Sequence, residues 1–294
     1  MDEKDKVRVR LTSPSKKHQA KARVRYTEER PNMLRLIAGP PINGGENRLT
    51  VYIAAHPDDW DIGWGGQIIK NCVDRNPILL IIVTDGAADF SNHDWDVKHG
   101  SYKADLEIQT IHTPNGDRRR WFSRNLMNKR LASVKCRATY LRIRSVFTLN
   151  FLDSLAQHFI PQIAQDICDI IFRAVDMNNY ALHRVCWHAG RKYASNAREH
   201  RDHMAAGDAT AIAVQDVMLK LGLERLGSRF TTIYGKPRGT LNPVEYEAID
   251  SVWSERLKLW EMMWEHSFLE SSRNPMFPKN PESYVNYTFT RVRK

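Results

Sequence analysis

Cysteine is scarce in this sequence of 294 residues, which has only four: Cys72, Cys136, Cys168 and Cys186. No two of them form a CxxC pair, a pattern typical of buried thiols in a reducing compartment. The longest apolar run, ILLIIV at residues 78–83, is far shorter than the roughly 18 residues of a membrane-spanning helix. Residues 1–30 also lack the apolar stretch that a secretory signal needs. These absences predict a cytoplasmic protein with no transmembrane segment.

An excess of positive charge is confined to the two ends of the chain. The whole sequence has 44 Lys and Arg against 34 Asp and Glu, a net charge of +10. Residues 1–30 contain ten basic against five acidic side chains, and residues 271–294 contain five against one. We therefore predict a basic, flexible arm over residues 1–30, one domain over residues 31–270, and an irregular basic tail over residues 271–294.

Within the nearly neutral middle of the chain, residues 116–144 carry ten Lys and Arg and a single acid, Asp117. Such a segment could contact phosphate groups. A solvated helix face is the favoured interpretation, because charge runs usually have that explanation.

The apolar pattern predicts an α/β fold. The runs LTVYIAA at residues 49–55 and ILLIIVT at residues 78–84 read as buried parallel strands, with a crossover helix between them. Further strands are predicted at residues 145–151, 183–188 and 229–235. Helices are predicted at residues 130–140, from Pro161 onward and at residues 203–221, and an apolar stripe at residues 246–266 predicts a core-packing helix.

Two clusters of His and Asp follow predicted strands, where ligands bind in open parallel sheets. The first is AAHPDDWD, with His56, Asp58 and Asp59, and the second is EHRDH, with His200, Asp202 and His203. Two imidazoles and one carboxylate drawn from both clusters would make a three-ligand metal site that leaves a position open for water. A carboxylate that does not bind the metal could then accept the proton of that water.

These motifs resemble the LmbE-like or PIG-L family of zinc-dependent N-deacetylases, which remove acetyl groups from N-acetylglucosamine-type sugars. The family's AHPDDE-type motif with its trailing glycines is similar to AHPDDWDIGWGG at residues 55–66, and its HPDH motif is similar to HRDH at residues 200–203. A late pattern of a Lys before a His-Ser pair resembles KLWEMMWEHS at residues 258–267. The resemblance covers residues 49–267.

The resemblance implies a zinc ion, one per chain, with three ligands: His56, Asp59 and His203. By ligand type, another divalent metal could take the same place. Three further residues are implied to be catalytic: Asp58 as general base, and His200 as general acid or oxyanion stabiliser, held by Asp202. The implied fold is a Rossmann-like three-layer α/β sandwich with a mainly parallel sheet. The implied reaction releases acetate and a free amine from a small-molecule amino-sugar conjugate.

The sequence departs from the family pattern at three places. Trp60 stands where a Glu usually follows HPDD, and Arg201 replaces the Pro of HPDH. In the family a Glu commonly precedes a helix that ends in Leu-Gly, and the corresponding positions here are Ser133 and Leu141-Arg142. These departures bear on the substrate more than on the metal.

Other interpretations stay open at this point. The metal centre could act on another amide, or the basic arm and residues 116–144 could bind nucleic acid or an anionic surface beside a degenerate centre, in a weak polyanion contact that salt would weaken. A further cluster, with His93, Asp94, Asp96 and His99, is read as an exposed loop near the site. His188 is expected to pack at a strand end, and Asp85 is expected to be a turn residue that could line the pocket.

Overall fold

The computed structural model describes residues 9–12, 47–87, 107–113, 115–143, 145–191, 200–232, 242–243 and 286–293. Its strands are β1 (Val9–Thr12), β2 (Arg48–Ala54), β3 (Ile78–Thr84), β4 (Glu107–Thr113), β5 (Gly116–Phe122), β6 (Ser145–Phe151), β7 (Ala181–His188), β8 (Arg225–Thr232), β9 (Asn242–Pro243) and β10 (Asn286–Arg293). Its α-helices are α1 (Asp59–Val73), α2 (Arg124–Tyr140), α3 (Ile160–Asn178) and α4 (Arg201–Lys220), and a 3-10 helix spans Ala156–His158.

Within the described part of the chain, the main sheet has the strand order β6-β3-β2-β7-β8-β10-β9. The five strands from β6 to β8 are parallel to their neighbours, whereas β10 runs antiparallel to β8 and to β9. The prediction of an α/β fold with a mainly parallel sheet is confirmed.

Helices cover both faces of this sheet because β2 is apolar on both sides. Val51 and Ile53 belong to a core cluster with residues of α3 and α4, whereas Tyr52 and Ala54 belong to a second cluster with residues of α1 and α2. All four side chains are fully buried. Alternate residues of β2 therefore pack against helices on opposite faces of the sheet, which gives the predicted three-layer sandwich.

Each of the five predicted strands is present, with bounds within a few residues of those expected. The basic segment at residues 116–144, in contrast, is not one helix face. Its first part is β5, which pairs antiparallel with β4 in a sheet of order β1-β4-β5, and only its second part is helical, in α2. The sequence TPNG between β4 and β5 is a turn signal that separates the two strands.

The predicted irregular ends contain strands. Val9–Thr12 pairs with β4, and Asn286–Arg293 pairs with β8 over its whole length. These two stretches differ locally from the flexible arm and the irregular tail that the sequence predicted, because VRLT and NYTFTRVR are rich in β-branched and aromatic residues that favour strands. The three domain boundaries stay a prediction. The predicted helix at residues 246–266 lies outside the described residues.

One glycine determines how closely α4 approaches the sheet. A Cβ atom on Gly207 would lie 2.5 Å from the backbone oxygen of His188 and 2.5 Å from the backbone nitrogen of Gly190, distances that no side chain can occupy. Glycine at this position thus lets the first two turns of α4 lie against the carboxyl end of β7. This contact sets the place of the HRDH motif relative to the strand ends.

No helix within the described ranges is long and apolar enough to cross a membrane.

Candidate metal and catalytic centre

Parallel strands deliver acids and imidazoles to one edge of the main sheet. His56 follows β2, Asp85 follows β3, Asp153 follows β6, and His188 is the last residue of β7. Because these four strands are parallel neighbours, their carboxyl ends meet at the edge where such sheets bind ligands. The first turn of α4 brings the HRDH motif to the same place.

Three ligand atoms form a compact triangle at this edge. Nδ1 of His56 lies 3.0 Å from Oδ2 of Asp59 and 3.2 Å from Nε2 of His203, and the last two atoms lie 3.2 Å apart. Ligands at 2.0–2.2 Å from a tetrahedral metal ion are separated by about 3.4 Å. The residues that the family resemblance implies as metal ligands therefore have a spacing that could hold a metal ion, and their donor set of two imidazoles and one carboxylate fits zinc.

The second ring nitrogen of His56 faces carboxylates. Its Nε2 lies 3.3 Å from Oδ1 of Asp153 and 3.4 Å from Oδ2 of Asp202. A metal-binding histidine usually donates its other N–H to a carboxylate, which sets the tautomer and the ring orientation. Asp153 is missing from the sequence-based set, because an Asp after a strand, in LNFLDS, is also an ordinary turn residue.

The turn between β2 and α1 orients Asp59 by a local contact. The backbone N–H of His56 donates to Oδ2 of Asp59 at 2.7 Å, and the backbone N–H of Asp59 donates to the carbonyl of His56 at 3.3 Å. This turn places the Asp59 side chain over the start of α1 and next to the His56 ring. Asp58 is half-buried, and its carboxylate lies within 4.8 Å of the ligand atoms of these two residues.

His188 is a further member of the cluster. Its ring is fully buried and stacks on His203 with centroids 4.4 Å apart, and its Nε2 lies 3.4 Å from Oδ2 of Asp59. Asp59, His188 and His203 form an alternative group of three potential metal ligands. The sequence predicted only a packing role for His188, since a lone histidine at a strand end carries no motif.

The HRDH motif begins α4, with His200 as its N-cap. The Nδ1 atom of His200 accepts a hydrogen bond from the backbone N–H of Asp202 at 3.4 Å, and its ring lies 4.8 Å from the His56 ring. The Asp202 carboxylate accepts hydrogen bonds from the backbone N–H groups of Ser154 and Ala156. The carboxylate of Asp202 thus contacts both the loop after β6 and the His56 ring. The sequence did not predict either contact.

Opposite charges determine the ionisation of the cluster. Burial opposes a charged His56, yet the carboxylates of Asp153 and Asp59 outweigh it and hold the pKa of His56 well above its usual value. Burial likewise opposes a charged Asp59, but His203 and His56 hold its pKa well below the usual range. Burial and then His56 and His203 lower the pKa of His200 to about 3, which favours the neutral imidazole.

Asp85 supports the site from behind. Its buried carboxylate accepts hydrogen bonds from the backbone N–H of Asp153 at 3.2 Å, the backbone N–H of Ala87 at 3.1 Å and Nη1 of Arg120 at 2.9 Å. Arg120 in turn donates from Nε to Oε1 of Gln109 at 3.0 Å. Asp85, which the sequence predicted to be a turn residue, is thus the centre of a hydrogen-bond network that positions Asp153.

Trp60, which stands where the resembled family usually has Glu, is fully buried beneath Arg137 of α2. The guanidinium carbon of Arg137 lies 4.7 Å from the centre of the Trp60 ring, and its Nη2 donates to the carbonyl of Pro57 at 2.9 Å. Arg137 thus contacts the residues that directly precede and follow Asp58 and Asp59 in the sequence. The replacement therefore exchanges a carboxylate for an aromatic ring that stacks on a buried cation.

We expect Arg137→Met to lower the free energy of unfolding by about 2 kcal/mol, because it removes a charge-assisted hydrogen bond to the buried Pro57 carbonyl. Urea denaturation measures this change. Lys135→Met, at an exposed position of the same helix, is the matched control and should change stability little. Equal stability of the two variants would contradict a supporting role of Arg137.

Comparison with known proteins decides the family. A profile of the PIG-L family, described as GlcNAc-PI de-N-acetylase, matches residues 51–214, more than half of the chain. The chain belongs to the PIG-L family. The matched residues contain both the HPDD and the HRDH motifs and all the strands from β3 to β7. The recognition that the sequence motifs suggested is confirmed.

PIG-L-like folds are also found among solved structures. A zinc-inhibited form of the teicoplanin deacetylase Orf2 is similar to this chain with a TM-score of 0.52 and 15% identity, covering 84% of this chain and 98% of that one. A triple mutant of a deacetylase of the teicoplanin biosynthetic pathway gives a TM-score of 0.50 and 16% identity over the same shares of the two chains. None of the curated proteins compared matches this chain.

The structure brings together all six site residues that the sequence predicted, at the carboxyl ends of the parallel strands of the main sheet. The cluster that contains His93, Asp94, Asp96 and His99 lies outside the described residues, as does the late KLWEMMWEHS pattern. The functional roles of the six residues stay a prediction.

Proposed function

We propose that this PIG-L protein is a metal-dependent hydrolase that removes the acetyl group from an N-acetylglucosamine-type amino-sugar conjugate and releases acetate and a free amine. The observation that supports this proposal is the triangle of His56, Asp59 and His203 ligand atoms with sides of 3.0–3.2 Å. We propose these residues as the ligands of one zinc ion per chain. Bound zinc supplies Lewis acidity, which makes water acidic near neutral pH and polarises a carbonyl group.

The chain's own residues would divide the remaining work. Asp58 lies beside the ligand atoms without being needed as a ligand, so its carboxylate can accept the proton of the attacking water. The neutral ring of His200, at the start of α4, is placed to donate a hydrogen bond to the carbonyl oxygen, and the proton that Asp58 accepts can pass to the leaving amine. Asp153 and Asp202 hold the His56 ring, and Asp202 also ties the loop after β6 to α4. These contacts preorganise the site before substrate binds.

The experiment that tests this function measures metal content and acetate release together on the purified protein, with a panel of neutral and charged N-acetylglucosamine conjugates. We expect one divalent metal ion per chain and release of acetate and amine in equal amounts from at least one conjugate. Bound metal without acetate from any conjugate would contradict the deacetylase and favour another amide as substrate. Absence of metal would contradict the hydrolase altogether.

The weak polyanion contact and the cytoplasmic location stay predictions of the sequence. Within residues 116–144, Arg120 and Arg137 are buried in internal contacts, whereas the exposed basic side chains are Arg118, Arg119, Arg124, Lys129, Lys135 and Arg142. The surface charge of this segment is therefore smaller than its composition suggested.

A further inference from the structure

The ring of His188, the last residue of β7, packs against rings from two helices. The His203 ring of α4 stacks on it, with centroids 4.4 Å apart and an angle of 14° between the ring planes. The Trp64 ring of α1 lies 5.3 Å from the His188 ring at an angle of 60°. All three side chains are buried. His188 therefore joins β7 to both of the helices that carry proposed metal ligands, since α1 begins at Asp59.

The edge of the same ring faces Asp59. Nε2 of His188 lies 3.4 Å from Oδ2 of Asp59, and this oxygen is one corner of the ligand triangle with His56 and His203. In a neutral imidazole one ring nitrogen carries the proton, and a neighbouring carboxylate favours the proton on the nitrogen that faces it. His188 thus contacts two of the three proposed ligands, His203 through its face and Asp59 through its edge.

The stacking shows that His188 and His203 do not bind one metal ion together in this arrangement. The lone pair of an imidazole nitrogen lies in the plane of the ring, so a bound metal ion lies close to that plane. Two stacked and nearly parallel rings have separate planes, and their lone pairs cannot point at one ion. Because Nε2 of His203 forms a corner of the triangle, the ring of His188 lies beside the ligands rather than among them.

The backbone fixes the place of this ring. In β7, Trp187 pairs with Ile53 of β2 and His188 pairs with Thr231 of β8, so the strand has parallel neighbours on both sides. The backbone oxygen of His188 also lies against Gly207 of α4, where a Cβ atom would be only 2.5 Å away. The His188 ring is therefore carried by a rigid central strand, whereas Asp59 and His203 belong to the first turns of two helices.

We propose that His188 is a positioning residue that holds Asp59 and His203 in the ligand triangle before the metal ion binds. Its edge orients the carboxylate of Asp59, and its face sets the rotation of the His203 ring. Outer partners of this kind fix ligand orientation and raise metal affinity. The inference rests on the metal centre of the proposed function and adds a residue that neither the HPDD nor the HRDH motif contains.

The test measures the affinity of the metal-free protein for Zn²⁺ and Co²⁺ by competition with a chelating dye, and the visible absorption spectrum of bound Co²⁺. His188→Phe keeps a ring to stack on His203 but has no nitrogen for Asp59, whereas His188→Gln keeps a donor but has no ring. We expect each variant to bind Zn²⁺ about 10–100-fold more weakly, as after loss of other outer partners, and to change the Co²⁺ spectrum. His183→Gln, at an exposed position of β7, is the matched control and should change neither.

A packing role alone would lower the melting temperature of the metal-free protein but leave the Zn²⁺ affinity and the Co²⁺ spectrum unchanged. That result would overturn the inference while the deacetylase stands. Loss of a nitrogen ligand in His188→Phe, seen by X-ray absorption of bound zinc, would also overturn it by assigning His188 a ligand role. A wild type that binds no metal would contradict the proposed function and this inference together.

His188 is fully buried, so circular dichroism has to show that each of its variants is folded. Trp64→Phe is a second variant that leaves every imidazole and carboxylate of the cluster in place and replaces the ring beside His188 with a smaller one. We expect it to weaken Zn²⁺ binding in the same direction by a smaller factor. Unchanged Zn²⁺ affinity in Trp64→Phe and in the folded His188 variants would overturn the positioning role.

Discussion

Replacing Asp58 with Asn is expected to abolish nearly all turnover while the protein keeps its metal. The Asp58 carboxylate lies within 4.8 Å of the ligand atoms of His56 and Asp59. In the proposed mechanism it accepts the proton of the attacking water, and an amide of nearly the same shape cannot do so. Positioned general bases contribute about 10²–10⁴-fold to a rate. We therefore expect kcat for acetate release to fall by about three orders of magnitude, with metal content by elemental analysis unchanged.

The matched control for this variant is Asp74→Asn, at an exposed position in the turn after α1. It makes the same chemical change away from the cluster and should retain normal turnover. Full activity in Asp58→Asn would remove this residue from the mechanism. Loss of metal together with activity would instead assign Asp58 a ligand role.

Removing the imidazole of His203 is the second change with a large expected effect. Nε2 of His203 supplies one corner of the ligand triangle, at 3.2 Å from both His56 Nδ1 and Asp59 Oδ2. The loss of one of three protein ligands should weaken metal binding by more than the roughly 10–100-fold that follows loss of an outer partner. We expect His203→Ala to purify with little metal and to release no measurable acetate.

His203 is fully buried, so the folding of its variant has to be shown by circular dichroism and a cooperative thermal transition. His112→Ala, on the exposed β4–β5 hairpin, is the matched control and should retain metal. His56→Ala removes a second corner of the triangle at a less buried position and should lose metal in the same way. Folded His203→Ala and His56→Ala proteins that retain one metal ion per chain would contradict the proposed site and favour a group that includes His188.

Much of the fold could be predicted because its signals are local. The run ILLIIVT is apolar at every position, and only a strand covered on both faces buries all of it, as β3 does. The β4–β5 hairpin was not predicted because its strands, EIQTIHT and GDRRRWF, are polar and lack a clear apolar pattern. The many basic residues of β5 were instead read as part of one basic helix face, so the turn between the strands was not recognised. Strand pairing across the two ends of the chain was missed for a different reason, since nothing near Asn286–Arg293 indicates that β8 is its partner.

Some residues of the candidate site could be identified from local motifs, whereas others could be identified only from contacts between distant segments. HPDD and HRDH are short motifs at the ends of apolar runs, so their residues could be identified before any contact was known. Asp153 and His188 lie in stretches without a motif, and their importance appears only from their distances to His56 and Asp59. The stacking of Arg137 on Trp60 was equally hidden, because the sequence showed a missing Glu but not what faces it.

The sequence alone therefore indicated a parallel α/β domain of the PIG-L type and two His/Asp motifs that lie far apart in the chain. It did so because alternation, apolar runs and motif spacing are properties of neighbouring residues. Packing decided that His56 meets His203 across 147 positions of chain, and that Asp153 and Asp202 hold the second nitrogen of His56. Contacts of this kind depend on strand order and helix placement, which are set by the burial of the whole core rather than by any single segment.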